Sequence, residues 1–246
     1  DVYKRQRLAG HNAGNMLITM LSRYTGSFPS GIQALAEILD VRGHILPVTI
    51  DKATLVAELT DGTRIYGETA IDMPRGTQRE KIRDVFLVPH HSDTITVYPP
   101  VLKAIRQADM IVIGPGDLFT SIVPSLIVRG LKEGLQKSKA PVLFILNIMT
   151  KFGETHQFNG RDFVKTLEEA IERPLNGIIY NNRKPSAELL LRYHEQKAEF
   201  VELDNWDGWW DERKIYALDL LESTAGIVRH DSRKLATLLK DLITAP

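Results

Sequence analysis

The stretch Asp109-Met-Ile-Val-Ile-Gly-Pro-Gly-Asp-Leu-Phe-Thr-Ser-Ile-Val-Pro124 constrains the fold more than any other. Its apolar run, Met110 to Ile113, is β-branched and does not alternate with polar residues. Such a run suits a strand buried on both faces of a parallel sheet. Gly114, Pro115 and Gly116 stop the strand, and an apolar-periodic segment then runs through Leu126, Val128 and Leu131. Strand, glycine turn and helix start together place backbone N–H groups and the hydroxyls of Thr120 and Ser121 at a sheet's carboxyl edge. That edge is where α/β proteins hold anions, most often phosphate. The spacing matches neither a dinucleotide G-x-G-x-x-G nor a P-loop, so a plain strand-to-helix turn is the competing reading.

The same alternation continues along the chain. Pro141 to Leu146 and Leu175 to Tyr180 are further buried strands, and Ile215 to Leu220 is expected to be a last one. Helices are expected over Gly160–Ile171, Ser186–His194 and Ser232–Thr244. This pattern predicts an α/β fold with a mostly parallel, doubly wound sheet. Upstream, two helices (Met16–Tyr24 and Phe28–Leu39) precede a hairpin flanking Thr60-Asp-Gly62, where Asp-Gly is a strong turn signal. The hairpin is an antiparallel insertion. Val85 to Val88 is another strand, residues 72–80 a polar loop, and Leu102 to Gln107 a helix. Ala198 to Leu203 is expected to be strand-like, and 205–213 an aromatic loop holding all three tryptophans.

Composition narrows the function classes. The chain carries 31 Lys+Arg against 31 Asp+Glu, so its formal charge gives no reason to expect nucleic acid or an anionic membrane. It has no cysteine, which excludes disulfides, thiol catalysis and Cys-ligated zinc. No apolar run approaches the roughly 20 residues of a membrane helix. His90 and His91 are adjacent and lack chelating spacing.

Three polar clusters fall at expected strand ends: Gly114 to Ser121, Asn147 to Thr155, and Asn181-Asn182. Within the second, Asn147 can donate and accept, Thr150 and Thr155 offer hydroxyls, and Glu154 offers a carboxylate. A turn role for Asn147 and a solvated role for Glu154 are the bland alternatives. His11 and Asn15 lie beside glycines at a helix entry, where capping competes with ligand contact. Arg229 precedes the last helix and could bind two phosphate oxygens at once.

Leu8-Ala-Gly-His-Asn-Ala-Gly-Asn15, Ile113 to Pro124 and Asn147-Ile-Met-Thr-Lys-Phe-Gly-Glu-Thr155 together resemble the gluconeogenesis factors of the 2-phospho-L-lactate transferase superfamily. Val41 to Pro47, the Asp61-Gly62 hairpin and Val228-Arg-His-Asp231 agree in order. The resemblance implies a Rossmann-like three-layer fold in a cytoplasmic, dimeric protein. In the gluconeogenesis-factor branch it implies binding of UDP-sugars such as UDP-N-acetylglucosamine, with roles in gluconeogenic growth and cell-wall morphogenesis and no established catalysis. The transferase branch moves phospholactate from a guanosine diphosphate carrier to a deazaflavin alcohol, using magnesium. There the turn usually has Gly-Pro-Ser-Asn-Pro; Gly114-Pro-Gly-Asp-Leu-Phe119 favours the binding branch. Asp117 departs from the family's usual Ser.

By the same resemblance, the family's opening strand, Gly-Gly-Gly-Thr-Gly turn and Asp-Asp-Gly-Gly segment have no counterpart here. Residues 1–6 are expected to be a foreign scar, and 7–246 a single Rossmann-like domain without that front. The expected ligand set is His11, Asn15, Gly114, Gly116, Asp117, Thr120, Ser121, Asn147, Thr150, Glu154, Thr155 and Arg229.

Overall fold

Two periodicities in the sequence become two sheets. The computed structural model describes residues 13–74, 76, 78–203, 207–222 and 226–244. Helix α1 (Ala13–Thr25) and helix α2 (Phe28–Ile38) form an antiparallel pair, with Ser27 capping α2. Gly26 turns between them at φ +85°, a conformation that favours glycine. Strands β1 (Ala53–Leu59) and β2 (Arg64–Tyr66) make the expected Asp-Gly hairpin, and β3 (Ile82–Pro89) pairs antiparallel on the other side of β1. A short helix, α3 (Glu68–Asp72), occupies ground assigned in part to a polar loop; Ile71 pulls it into the core with no exposed area. Helix α4 (Pro99–Gln107) starts on prolines, which suit a first helical turn.

The second sheet is parallel, in the order β4 (Ile111–Ile113), β5 (Val142–Ile145), β6 (Gly177–Asn181), β7 (Lys214–Leu218). Its strands alternate between two cores, as a period of two dictates. Val142, Phe144 and Ile178 face Phe163, Val164, Leu167 and Ile171 of helix α7 (Gly160–Ile171). Leu143, Ile145 and Ile179 face Leu235, Leu238, Leu239 and Leu242 of the closing helix, Ser232–Thr244. Burial on both faces explains why these strands lack polar alternation. The α/β class with an antiparallel insertion is what the sequence predicts.

The path after β4 is less regular than expected. Leu118–Ile122 is a π-helical turn, followed by the short α5 (Val123–Leu126), and a new helix, α6 (Leu131–Lys137), starts after Gly130. Pro124 removes a helical donor and Gly130 turns at φ +96°, so one continuous helix cannot form. Ala198 to Leu203 is not a strand; only a bridge between Met149 and Phe200 forms there. Helix α8 (Ala187–Glu195) is capped by Ser186. The closing helix is capped by Asp231, whose Oδ1 accepts from the Arg233 and Lys234 N–H groups.

Two short strands escaped the sequence reading: β8 (Leu221–Glu222) and β9 (Arg229–His230), paired antiparallel. Two residues are too few for a periodic signal, yet this ribbon delivers Arg229 to the site. Of the aromatic loop, Trp206 lies outside the described residues. Trp210 is 2% exposed, and Trp209 carries the Arg213 guanidinium 4.0 Å from its ring centre. Both pack on their own domain. Among the described residues, no helix is long and apolar enough to cross a membrane.

Candidate ligand site at the carboxyl edge of the parallel sheet

The turns after β4 and β5 meet. Gly114 directly follows β4 at φ +79°, and a Cβ there would lie 3.3 Å from the Ile145 carbonyl oxygen. The close approach of the two strand ends therefore requires glycine. Asn147 closes the junction by donating its amide to the Gly116 carbonyl at 2.9 Å. That bond fixes the amide's orientation. Asn147 Oδ1 is buried and has no partner among the described residues.

Around this junction lies a cleft of about 400 Å³ lined by Gly116, Asp117, Asn147, Tyr193, Arg229 and His230, among others. Four of the sequence-predicted residues thus share one wall. Ser121 is not among the residues that line the cleft; a Cβ added to Gly116 would stand 3.7 Å from the serine Cβ. Tyr193, on α8, accepts from the Val228 N–H at 2.9 Å and ties the ribbon to the parallel-sheet layer. Burial keeps the His230 imidazole below the ordinary histidine value, against the opposing pull of the Leu146 backbone. Its Nε2 has no partner among the described residues. Tyr193 escapes the sequence reading because it stands alone on a helix; His230 lies in the Val228-Arg-His-Asp231 stretch, where that reading names only Arg229 as a ligand.

Thr120, Thr150, Glu154, Thr155 and Asn181 are buried. Glu154 is 1% exposed; it accepts from the Phe119 N–H at 3.2 Å and from the Thr120 hydroxyl at 3.2 Å. Burial raises its carboxyl above the usual range, and Lys151 opposes that rise. Thr150 Oγ1 accepts from the Glu199 N–H at 2.8 Å, and Thr155 Oγ1 accepts from the Lys151 N–H at 3.0 Å. Asn181 spends its side chain on the Arg183 carbonyl and the Leu220 N–H. Asn15 lies on exposed α1, and His11 lies outside the described residues.

Lys151 was not singled out from sequence, and it joins these two groups. Its ammonium pairs with Asp117 at 2.6 Å, with Glu154 at 3.1 Å and with Asp72. Burial would lower its affinity for a proton, but the three carboxylates outweigh burial and raise it. Asp117 thereby has a cationic partner, one that it shares with the two other carboxylates. The carboxylate oxygens of Asp72, Asp117 and Glu154 lie within 4.8 Å of one another, with the Lys151 ammonium paired to all three.

A larger hollow, about 1140 Å³, lies along the β1–β2 hairpin and α3. It collects none of the predicted ligand residues, and size alone does not make it the site.

Comparison with known proteins gives a consistent answer. A family model described as 2-phospho-L-lactate transferase CofD matches residues 2–221. The chain is similar to a Thermotoga maritima protein named provisionally as a gluconeogenesis factor: 38% identity over 237 residues, 94% of this chain and 72% of that protein. It is similar to the gluconeogenesis factor of Bacillus subtilis at 33% identity, covering 98% of this chain and 74% of that one. A Nostoc relative with the same provisional name is 36% identical, and this chain spans half its length. A crystal structure from Bacillus halodurans, described as a member of the UPF0052 family, superposes with a TM-score of 0.84 at 31% identity, covering 94% of this chain and 73% of that one.

Proposed function

The chain belongs to the CofD family, and on that footing we propose that its cleft binds the diphosphate of a nucleotide sugar, with UDP-sugars such as UDP-N-acetylglucosamine as the ligand class. The protein is then a regulatory binding factor for gluconeogenic growth and cell-wall morphogenesis, as a cytoplasmic homodimer. The observation that carries this reading is the meeting of Gly116, Asn147 and Arg229 on one cleft at the carboxyl edge of the sheet. Open α/β sheets bind ligands at that edge. Arg229 offers a guanidinium fork for two phosphoryl oxygens. The glycine turn lets the backbone approach them. Asn147 Oδ1 and His230 Nε2 are left to bond sugar, ribose or base. Thr120, Thr150, Glu154 and Thr155 support the turns from behind.

The transferase reading is the alternative, and it calls for magnesium. Asp72, Asp117 and Glu154 have the donor chemistry for that ion, but the Lys151 ammonium already pairs with all three. The cluster as arranged does not fit a divalent cation, and no step is assigned through one. This favours the binding reading.

Calorimetry of the full-length protein with UDP-N-acetylglucosamine is the test. Saturable binding that Arg229→Ala weakens supports the proposal. An absence of heat with UDP-sugars, together with magnesium-dependent product formation from a guanosine diphosphate donor, would replace it with the transferase reading.

A further inference from the structure

A second hollow, about 450 Å³, has a different chemistry. Arg79, His156, His194 and Lys197 line it, with the amides of Gln78 and Gln157. His156 feels its surroundings directly: burial lowers its proton affinity first, and the positive charges of Lys81, Arg79 and Lys197 add to that, against an opposing pull from Glu80. Two acids, Glu80 and Glu199, also face the hollow. Glu80 accepts from the Thr60 hydroxyl at 3.0 Å.

The hydrogen-bond inventory points the same way. Arg79 Nη1 donates to the Ile71 carbonyl at 2.8 Å and the Ala70 carbonyl at 3.3 Å, which anchors the guanidinium at the end of α3. Its Nε and Nη2 are buried and have no acceptor among the described residues, and neither does His156 Nδ1. Buried donors without acceptors are costly, most of all on a charged group. An anchored guanidinium with an unused Nε–Nη2 edge is the geometry that grips two oxygens of one phosphoryl group.

From this cluster we infer that the hollow is a binding site for a small phosphomonoester, separate from the nucleotide cleft. The dianion would sit against Arg79 and Lys197, and the amides of Gln78 and Gln157 would take the hydroxyls of the esterified alcohol. The site touches the loop that frames the nucleotide cleft. His156 belongs to the 147–157 segment, Lys197 Nζ lies 4.6 Å from the Phe152 ring centre, and Glu199 exchanges backbone and side-chain bonds with Thr150. The inference does not depend on what the nucleotide cleft binds.

The experiment is calorimetry of the full chain with glycerol 3-phosphate and with inorganic phosphate as probes. Glycerol 3-phosphate is expected to bind saturably and more tightly than inorganic phosphate. The variant Lys197→Gln should weaken it about tenfold, because a charge-assisted contact is lost. It leaves Arg79 anchored to α3, so folding is preserved and is checked by an unchanged thermal midpoint. Arg229→Ala should leave this binding intact even if it abolishes nucleotide-sugar binding. Absence of saturable binding, or equal affinity in Lys197→Gln and the parent, would overturn the inference. Inorganic phosphate binding as tightly as the ester would overturn the ester assignment in favour of a simple anion site.

Discussion

The 147–155 loop has two sides, built from the same residue types and put to different uses. On the open side, Asn147 makes one bond to Gly116 and keeps Oδ1 for something else, beside Arg229 and His230. On the closed side, Glu154, Thr155 and Thr150 spend their polar atoms on Lys151, Thr120, the Phe119 N–H and the Glu199 N–H. The difference teaches that a polar residue at a strand's carboxyl end is a ligand candidate only if the fold leaves it a free valence. Substitutions on the closed side should therefore act on stability, and those on the open side on affinity.

The largest effect is expected from Glu154→Ala. It leaves the Thr120 hydroxyl and Phe119 N–H without their acceptor and takes one carboxylate from Lys151. Leaving these two buried donors unsatisfied costs about 3 kcal/mol. For a chain of this size that lowers the thermal midpoint by roughly 10 °C. A midpoint unchanged by Glu154→Ala would erase the distinction between the two sides. Arg229→Ala comes next and should do the reverse. Losing a charge-assisted contact costs about 2 kcal/mol of binding, roughly thirtyfold in Kd. Its stability should stay within about 0.5 kcal/mol of the parent's, because the side chain is exposed.

Asn147→Ala sharpens the boundary, since that residue belongs to both sides. Removal of its bond to Gly116 should cost about 1 kcal/mol of stability, and affinity should fall about tenfold. The smallest effect is a pH dependence. Burial holds His230 below its ordinary value of about 6.5, so the folded state favours the neutral ring. The unfolded chain binds the proton more readily, so this contribution is complete above about pH 6.5 and is lost as pH falls through the folded value. Thermal midpoints measured from pH 7.5 down to 5 should therefore fall less steeply in His230→Gln than in the parent. Parallel profiles would remove His230 from the account.

Most of the fold was legible because its signals are periodic. The helix Gly160–Ile171 and the closing helix Ser232–Thr244 begin and end where periodicity and caps place them. The run from Val142 to Ile145 is buried on both faces as its lack of alternation implies. What escaped was short or depended on contacts across the fold. Strands β8 and β9 have two residues each, and the break after Leu126 depends on a proline and a glycine acting together. The meeting of the Gly114 and Asn147 turns was expected from topology and is found. Lys151 was invisible as a hub because its partners Asp72 and Asp117 lie 79 and 34 positions away. Thr120 and Thr150 look in sequence like any other hydroxyl at a strand end; only coordinates show which way each bond runs.

The central claim is that a diphosphate occupies the cleft between Gly116, Asn147 and Arg229. The most direct measurement is a crystal structure of the full-length protein soaked with UDP-N-acetylglucosamine. The account predicts phosphoryl oxygens within hydrogen-bond distance of the Arg229 guanidinium and the 114–117 turn, with the Lys151 cluster intact behind them. Density for the nucleotide sugar elsewhere, with this cleft empty and Arg229 turned to solvent, would contradict it.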